Sequence, residues 1–157
     1  MYEVYLDNEL MYYPGDDVLV ILSPKLELAD NKSGSFEFVI PASNPFYERI
    51  KELKSELCVK KDGTGIFYGR CVSAEKDFYN KKTVICEGEL AYLLDSIQPP
   101  MRYQNYTIRA FISALVDQHN TQVQMPVHVG VTFSSQCKGE SGTYDYLSIY
   151  YVSAGKT

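Results

Sequence analysis

The feature that most constrains the fold is the stretch between residues 56 and 89, where polar and apolar side chains alternate and turn residues interrupt twice. Alternation places successive side chains on opposite faces of a strand, so it indicates half-buried β-strands. The first interruption, residues 61–65, contains Asp62-Gly63, a dipeptide typical of hairpin turns. We therefore predict two consecutive hairpins. The first joins Glu56–Lys60 to Ile66–Lys76, and the second joins Arg70–Asp77 to Thr83–Glu89 through residues 78–82.

Further strands are predicted before these hairpins, at Tyr2–Leu6, Val18–Leu22, Lys25–Ala29 and Ser35–Pro41. The first ends at an Asp7-Asn8 turn, and the second is apolar on both faces. The last alternates clearly, which places Phe36, Phe38 and Ile40 on one face. Together with the two hairpins, these four strands predict a mainly antiparallel sheet as the core of the fold.

Three segments carry apolar residues at the spacing of a helix. The first begins with Asn44 as N-cap and Pro45 at the first helical position, and we expect it to reach Leu57. The second covers Glu89–Ile97, and the third is capped by Thr107 and reaches about Asn120. The apolar faces are Phe46, Ile50, Leu53 and Leu57; Leu90, Leu93, Leu94 and Ile97; and Ile108, Phe111, Ile112 and Leu115.

The last part of the chain contains a predicted strand at Val127–Phe133, a polar loop at Ser134–Gly142 and a Tyr-rich stretch at Tyr144–Val152 that suits a strand or a helix. The element order predicts an α+β fold: a mainly antiparallel, β-barrel-like domain with short packed helices, then a smaller helix-plus-strand segment. Gln98-Pro99-Pro100 marks the expected boundary, which gives domains of residues 1–98 and 99–157, the second expected to be incomplete.

Charge and hydropathy exclude several classes of protein. The 15 Lys and Arg against 20 Asp and Glu give a net charge of -5, without the basic stripe that a phosphate-backbone binder needs. The N-terminus has acids where a secretion signal would be positive, so no signal peptide is expected. The longest apolar run, Val18–Leu22, is far too short to cross a bilayer, so no membrane span is expected.

No residue pattern names a reaction, a metal or a cofactor. His119 and His128 lack the spacing of a metalloprotease helix, and no two of Cys58, Cys71, Cys86 and Cys137 lie close enough in sequence for a zinc site. We expect reduced and mostly buried thiols.

Phosphate loops and acid pairs are also weak candidates. Residues 63–65 belong to a hairpin turn rather than a phosphate loop, and residues 154–157 only spell the end of a Walker motif. Glu75 with Asp77, or Glu87 with Glu89, could line one strand face as a carboxylate pair, although solvated strand edges explain them better. We therefore expect no catalytic activity and no cofactor.

The span Lys25–Ile97 resembles a known unit as a whole. The residues that carry the resemblance are Lys25-Leu26-Glu27-Leu28, Gly34–Pro41, Asn44–Tyr47, Ile50, Leu53–Glu56, Ile66–Arg70, Asp77–Asn80 and Cys86–Ser96, with a weaker continuation at Phe111, Leu115, His119-Asn120 and Val129-Gly130. This pattern resembles the N-terminal region of the tail-associated lysin, or prophage endopeptidase tail, family of siphophages and prophages of Gram-positive hosts.

The resemblance implies a structural role in a phage tail tip. It implies a protein similar to the baseplate hub of contractile tails, a homotrimeric ring of β-barrel-like domains beneath the distal tail protein. The tape-measure protein is a further expected partner, and the location is the virion tail, after synthesis in the bacterial cytoplasm. The peptidoglycan-cleaving activity of the family belongs to separate C-terminal domains, so it is not expected here; a truncated gene, a prophage remnant or a fragment would explain the short chain.

Tyrosine is the one unusual entry in the composition, with 14 residues. Tyrosine rings suit cross-strand pairs and protein interfaces alike. We expect Tyr12, Tyr13, Tyr103 and Tyr106 to lie at contacts of the ring, with simple packing over the barrel ends as the equal alternative. Two other functions stay open: a component of a tail-associated cell-wall hydrolase, and a carbohydrate- or receptor-binding module that stacks tyrosines on sugars.

Overall fold

A seven-stranded antiparallel sheet dominates this computed structural model, which describes residues 1–30, 32–100, 102, 104, 107–122, 127–139 and 142–153. Its strands are β1 (Tyr2–Leu6), β2 (Glu9–Tyr12), β3 (Leu22–Glu27), β4 (Ser35–Pro41), β5 (Glu56–Lys61), β6 (Thr64–Lys76) and β7 (Lys81–Gly88). The strand order is β2-β1-β5-β6-β7-β4-β3, so β2 and β3 are the edges. The sheet curls into a half-barrel, which confirms the predicted α+β class with a barrel-like domain.

Tight turns set the register of the hairpins. Asp62 and Gly63 have φ of 51° and 80°, the positive values that a type I′ turn requires at both central positions. Asp7 and Asn8, with φ of 49° and 69°, join β1 to β2 in the same way. Both predicted central hairpins and the Asp7-Asn8 turn are confirmed. Strand β2 was not predicted.

The core of the half-barrel lies on its concave face. Phe36, Phe38 and Ile40 are buried there as the alternation predicted, and the rings of Phe36 and Phe38 lie 5.1 Å apart. Side chains from the other strands complete the core, among them Val4, Leu6, Met11, Leu57, Val59, Phe67 and Val84. All strands except β3 therefore contribute buried side chains to a shared core, and β3 adds the half-buried Leu26 at its edge.

The predicted strand at Val18–Leu22 is wrong over most of its length. Residues 18–21 form bends and an irregular segment, and the strand begins only at Leu22. The cause is Asp16, whose Oδ1 accepts hydrogen bonds from the backbone N–H groups of Val18 and Leu19 at 2.7 and 2.8 Å. A side-chain acceptor that takes these donors competes with strand pairing, so the apolar run turns instead.

The helix predicted from Asn44 to Leu57 is also wrong, because residues 42–54 form successive turns. Tyr47 and Arg49 donate to carbonyls three residues back, and Leu53, at φ 57°, donates its N–H to Cys71 O at 2.7 Å. The buried Lys82 ammonium donates to Tyr47 O and lies 4.4 Å from the Tyr47 ring centroid. These bonds to neighbouring strands replace the i to i−4 bonds of a helix. Phe46 and Ile50 are buried as predicted, but Leu53 is 60% exposed and Leu57 belongs to β5.

The rest of the chain contains a 3₁₀ helix at Glu89–Asp95, the α-helix α1 (Ile108–Gln122), and a two-stranded antiparallel sheet of β8 (Val127–Gly139) and β9 (Gly142–Ser153). The other two predicted helices are thus present, and Thr107 Oγ1 accepts from Ala110 N at 3.2 Å as an N-cap. The side chains buried on α1 are Val116 and His119, whereas Ile108 and Phe111 of the predicted apolar face are exposed.

The polar loop predicted at Ser134–Gly142 is wrong, because β8 continues to Gly139 with an irregularity between Ser134 and Cys137. An irregularity of this kind lets a polar stretch stay paired without strict alternation. The Tyr-rich stretch is a strand, one of the two open alternatives.

Two compact units divide the chain, Met1–Ala91 and Tyr92–Thr157. We call them unit 1 and unit 2. The domain boundary expected between residues 98 and 99 stays a prediction.

Candidate functional site

An apolar cavity opens on the concave side of the half-barrel, with a volume of about 510 Å³. Its floor is the buried core residues Val4, Phe36 and Val59, and both edge strands reach it, β2 through Tyr12 and β3 through Pro24 and Leu26. Tyr2, Ile21, Leu28 and Ile66 complete the lining. We call this the barrel cavity. A closed barrel fills its interior with side chains, so the incomplete sheet is what leaves this volume open.

Both edges of the half-barrel are protected against pairing with another strand, by different features. Strand β2 is only four residues long, and β3 carries Pro24, an irregular register between Leu22 and Lys25, and an exposed Lys25–Glu27 ion pair. Short strands, proline and charge are the devices that prevent edge-to-edge pairing. Between the two edge strands, the barrel cavity is therefore better suited to bind a partner than either backbone edge.

The structure places two of the four predicted contact tyrosines. Tyr12 lines the barrel cavity and is half-buried, and Tyr13 follows β2 with its ring exposed. Tyr103 and Tyr106 lie outside the described residues. Tyr2, at the rim of the cavity, was not among the predicted contacts, although its place at the start of an alternating strand was visible in the sequence.

A second apolar feature lies at the turn between β6 and β7. Phe78 is 96% exposed and Tyr79 is 79% exposed, and their rings pack edge to face with centroids 5.6 Å apart. We call this pair the aromatic tip. The sequence predicts these residues only as part of a turn. Two adjacent aromatic residues in a turn are the signal for this feature, because turn side chains are usually exposed.

The aromatic tip stands on an ordered turn. Asp77 and Lys81 close the hairpin, since Asp77 N donates to Lys81 O and Lys81 N donates to Asp77 Oδ1, both at 2.8 Å. Asn80 takes a positive φ of 58°, and its Oδ1 accepts from the Tyr47 hydroxyl at 3.2 Å. The two rings are thus held at the surface by a defined backbone.

Three of the four carboxylates considered as pairs from the sequence have distinct surroundings. Asp77 closes the turn, and Glu87 pairs with Arg70, with Nε and Nη2 at 2.8 and 2.7 Å from Oε1. Burial and the neighbouring Glu56 carboxylate raise the pKa of Glu89. Glu87 therefore serves a cross-strand ion pair, and Glu89 is the acid of this face whose proton is held more tightly than usual.

The described cysteines of unit 1 are weakly reactive thiols. Cys71 and Cys86 are free, buried, cross-strand partners on β6 and β7. Burial raises the pKa of Cys71 to about 11 and raises that of Cys86 as well. Cys58 is a free, half-buried thiol whose pKa burial also raises. Such thiols pack as small apolar groups rather than act as nucleophiles.

His119 is buried in α1, and its Nδ1 lies 2.8 Å from Ser96 Oγ. Burial lowers its pKa below the ordinary 6.5, against a smaller opposing effect of Asp95. We expect unit 2 to lose stability as pH falls from about 6.5 through the lowered folded-state pKa, because the unfolded histidine then binds a proton that the folded one rejects. A tenfold weaker proton affinity of the folded histidine costs about 1.4 kcal/mol of stability at acid pH.

Thermal unfolding followed by circular dichroism between pH 5 and 7.5 measures this loss, and His119→Gln should flatten the pH dependence. An NMR titration that gives His119 a pKa above 6.5 would contradict the prediction. His128, the other histidine, lies in β8.

Within the residues that the structure describes, no three His, Cys, Asp or Glu side chains cluster closely enough to hold a metal ion. None of the described helices combines the length and apolar character needed to cross a membrane. Comparison with protein-family models, with curated proteins and with solved structures finds no match. What the described arrangement can do chemically is bind an apolar group in the barrel cavity and present another at the aromatic tip.

Proposed function

We propose that this chain is a structural protein of a phage or prophage tail tip, similar to a baseplate hub, that acts by assembly rather than by catalysis. The observation that carries the proposal is the half-barrel itself, which leaves an apolar cavity open between its two edge strands. A cavity of this kind, beside exposed aromatic residues, supports an interaction surface better than a reaction centre.

The partners in this proposal follow from the resemblance of Lys25–Ile97. They are further copies of the chain, as a homotrimer in the assembled tail, together with the distal tail protein and the tape-measure protein. The location is the virion tail, after synthesis in the host cytoplasm. The net charge of -5 supports a role without nucleic-acid binding, because phosphate contacts require Lys and Arg. No membrane partner is included.

The proposal predicts a stable complex with tail proteins. Light scattering over a concentration series is expected to show self-association toward three times the 17.9 kDa of one chain. Co-expression with distal tail proteins of Gram-positive siphophages is expected to yield a complex that survives gel filtration. Failure to bind any distal tail or tape-measure protein would contradict the tail assignment, whatever the oligomeric state.

The competing functions predict different results for the same purified chain. Zymography on Gram-positive cell walls is expected to show no clearing, whereas a cleared band would support a hydrolase component. Retention on cell-wall polysaccharide that Tyr79→Ala abolishes would support a carbohydrate- or receptor-binding module. Tyr12→Ala serves as a matched aromatic control, because its ring lies in the cavity rather than at the tip.

A further inference from the structure

We propose that Cys71 and Cys86 form a disulfide bond between strands β6 and β7 when a small disulfide oxidises the folded chain, so that unit 1 carries a reversible cross-link. The structure shows the reduced form, in which both thiols are free. The inference uses only contacts within unit 1 and does not depend on the proposed tail assignment.

The two cysteines lie directly opposite each other on neighbouring antiparallel strands. Cys71 of β6 is the register partner of Cys86 of β7. Both side chains are 0% exposed and belong to the same buried cluster, so they lie on the same face of the sheet. Opposite residues on one face have Cβ atoms about 4.5–5.5 Å apart, and the distance is shorter in pairs without mutual backbone hydrogen bonds. The type of pair therefore decides whether a disulfide fits.

The backbone hydrogen bonds of Cys71 show which type of pair this is. Cys71 N–H donates to Ser55 O at 3.0 Å, and Leu53 N–H donates to Cys71 O at 2.7 Å. Both backbone groups of Cys71 therefore point away from β7, which makes Cys71 and Cys86 a non-hydrogen-bonded pair. The Cα atoms of such a pair lie about 4.5 Å apart, and a disulfide needs about 4.4–6.8 Å. The bond can thus form without a change in the register of the two strands.

The surroundings of the two thiols keep them protonated in the closed protein. Burial and the Glu52 carboxylate raise the pKa of Cys71 to about 11. Burial raises the pKa of Cys86, and the nearby Cys71 adds to that effect, as expected for two sulfurs that face each other. Because the thiolate is the form that attacks a disulfide, exchange requires local opening of the protein.

The segment that controls access to Cys71 is the turn at residues 51–55. This turn, rather than a strand, flanks Cys71 on the side away from β7. Residues 51–54 are exposed, and besides the two backbone bonds to Cys71 the turn is held by Glu52 Oε1, which accepts from Ala74 N at 2.9 Å. Segments with few buried contacts open at a lower free energy than the core. Opening of this turn therefore admits a small oxidant to Cys71.

The exchange has two steps. The Cys71 thiolate attacks one sulfur of the small disulfide, which forms a mixed disulfide and releases one small thiolate. The Cys86 thiolate then attacks the Cys71 sulfur, and the second small thiolate leaves. The two cysteines lose two electrons to the small disulfide, and their two protons pass to the released thiolates. A dithiol reductant reverses both steps.

The cross-link should stabilise the β6–β7 hairpin. It closes a loop between residues 71 and 86 that contains the aromatic tip. A disulfide across about 15 residues restricts the unfolded chain, and for a domain of this size the expected rise in melting temperature is about 10 °C.

The test is oxidation of the folded full chain with oxidised glutathione, followed by tryptic peptide mapping. Cys58→Ser with Cys137→Ser gives a background in which Cys71 and Cys86 are the only thiols. Trypsin releases Cys71 within residues 71–76 and Cys86 within residues 83–102. We expect these two peptides to be linked, with a mass below their sum by two hydrogen atoms, and to separate after treatment with dithiothreitol. The same mapping on the wild type gives the answer if the background variant does not fold.

Two pairs of variants make the test specific. In the background variant, Cys86→Ala should stop at the mixed disulfide with glutathione and gain no melting temperature. Glu52→Ala should speed cross-linking about fivefold, because it removes the bond to Ala74 N that holds the turn. Glu75→Ala is the matched control, since Glu75 is an exposed acid beside Ala74, and it should leave the rate unchanged.

Three results contradict the inference. Persistence of both free thiols, or of the glutathione adduct, in the folded background variant would show that the pair does not close. A cross-link that forms only in urea would show that the native register does not permit it. Equal rates for Glu52→Ala and Glu75→Ala would overturn access through residues 51–55.

Discussion

Asn44→Ala is expected to destabilise unit 1 by about 3 kcal/mol, because it removes three hydrogen bonds from the interior at once. Asn44 is 2% exposed. Its Nδ2 donates to Val20 O at 3.0 Å and Met11 O at 3.3 Å, and its Oδ1 accepts from Phe46 N at 2.9 Å. The side chain thus ties together three segments that have no ladder between them. Urea unfolding followed by circular dichroism measures the loss.

Asn44→Asp separates the role of the amide from that of shape. The new carboxylate keeps the acceptor for Phe46 N but faces the Met11 and Val20 carbonyl oxygens without a donor, so its pKa should rise above the ordinary value of about 3.9. A protein that contains an acid with a raised folded-state pKa loses stability as pH rises. The free energy of unfolding of the variant should therefore fall further below that of the wild type at pH 7 than at pH 4.

Asn8→Asp is the control, because Asn8 occupies an exposed turn at positive φ, a conformation that aspartate tolerates. An Asn44→Asp variant with equal losses at both pH values would show that the two carbonyls do not depend on the Nδ2 donor.

Gly69→Ala should also cost about 3 kcal/mol or more, for a steric reason. A Cβ atom built at Gly69 overlaps the carbonyl oxygen of Glu87 on the neighbouring strand and lies 2.9 Å from Phe67 Cζ. Gly69 pairs with Leu57 on one side and Gly88 on the other. Because the clash is with backbone inside a ladder, β6 and β7 must move apart to relieve it.

Gly65→Ala provides a control in the same strand. Its Cβ would overlap the hydroxyl oxygen, Cζ and Cε2 of Tyr68, the far end of a side chain that is 50% exposed and can rotate away. We expect a loss below about 1 kcal/mol there. Equal destabilisation by the two variants in urea unfolding would refute the argument from the β6–β7 ladder.

The hairpins were predictable because the sequence encodes them locally. Asp62-Gly63 supplies positive φ, and alternation supplies one apolar face, so turn and register agree without long-range contacts. The capped helix that follows Thr107 was predictable for the same reason.

Two of the errors arise where a polar side chain takes up backbone groups, one locally and one over a long range. Asp16 bends the apolar run of residues 18–21, and Asn44 was interpreted as a helix cap although its amide serves Met11 and Val20. The barrel cavity could not be predicted from the sequence either, because it depends on which strands form the edges of the sheet. The turn at Phe78 and Tyr79 could be predicted from the sequence, but the high exposure of both rings depends on the tertiary structure.

The strand order β2-β1-β5-β6-β7-β4-β3 has a consequence for the folding pathway. Pairings β1–β2, β3–β4, β5–β6 and β6–β7 join neighbours along the chain, and hairpins of this kind form within about 1–10 μs. Only β1–β5 and β4–β7 close long loops. We therefore expect the three local modules to form early and their docking along these two seams to limit the folding rate. Until the seams close, three unjoined β-modules are exposed, and synthesis in a crowded cell would expose them to aggregation.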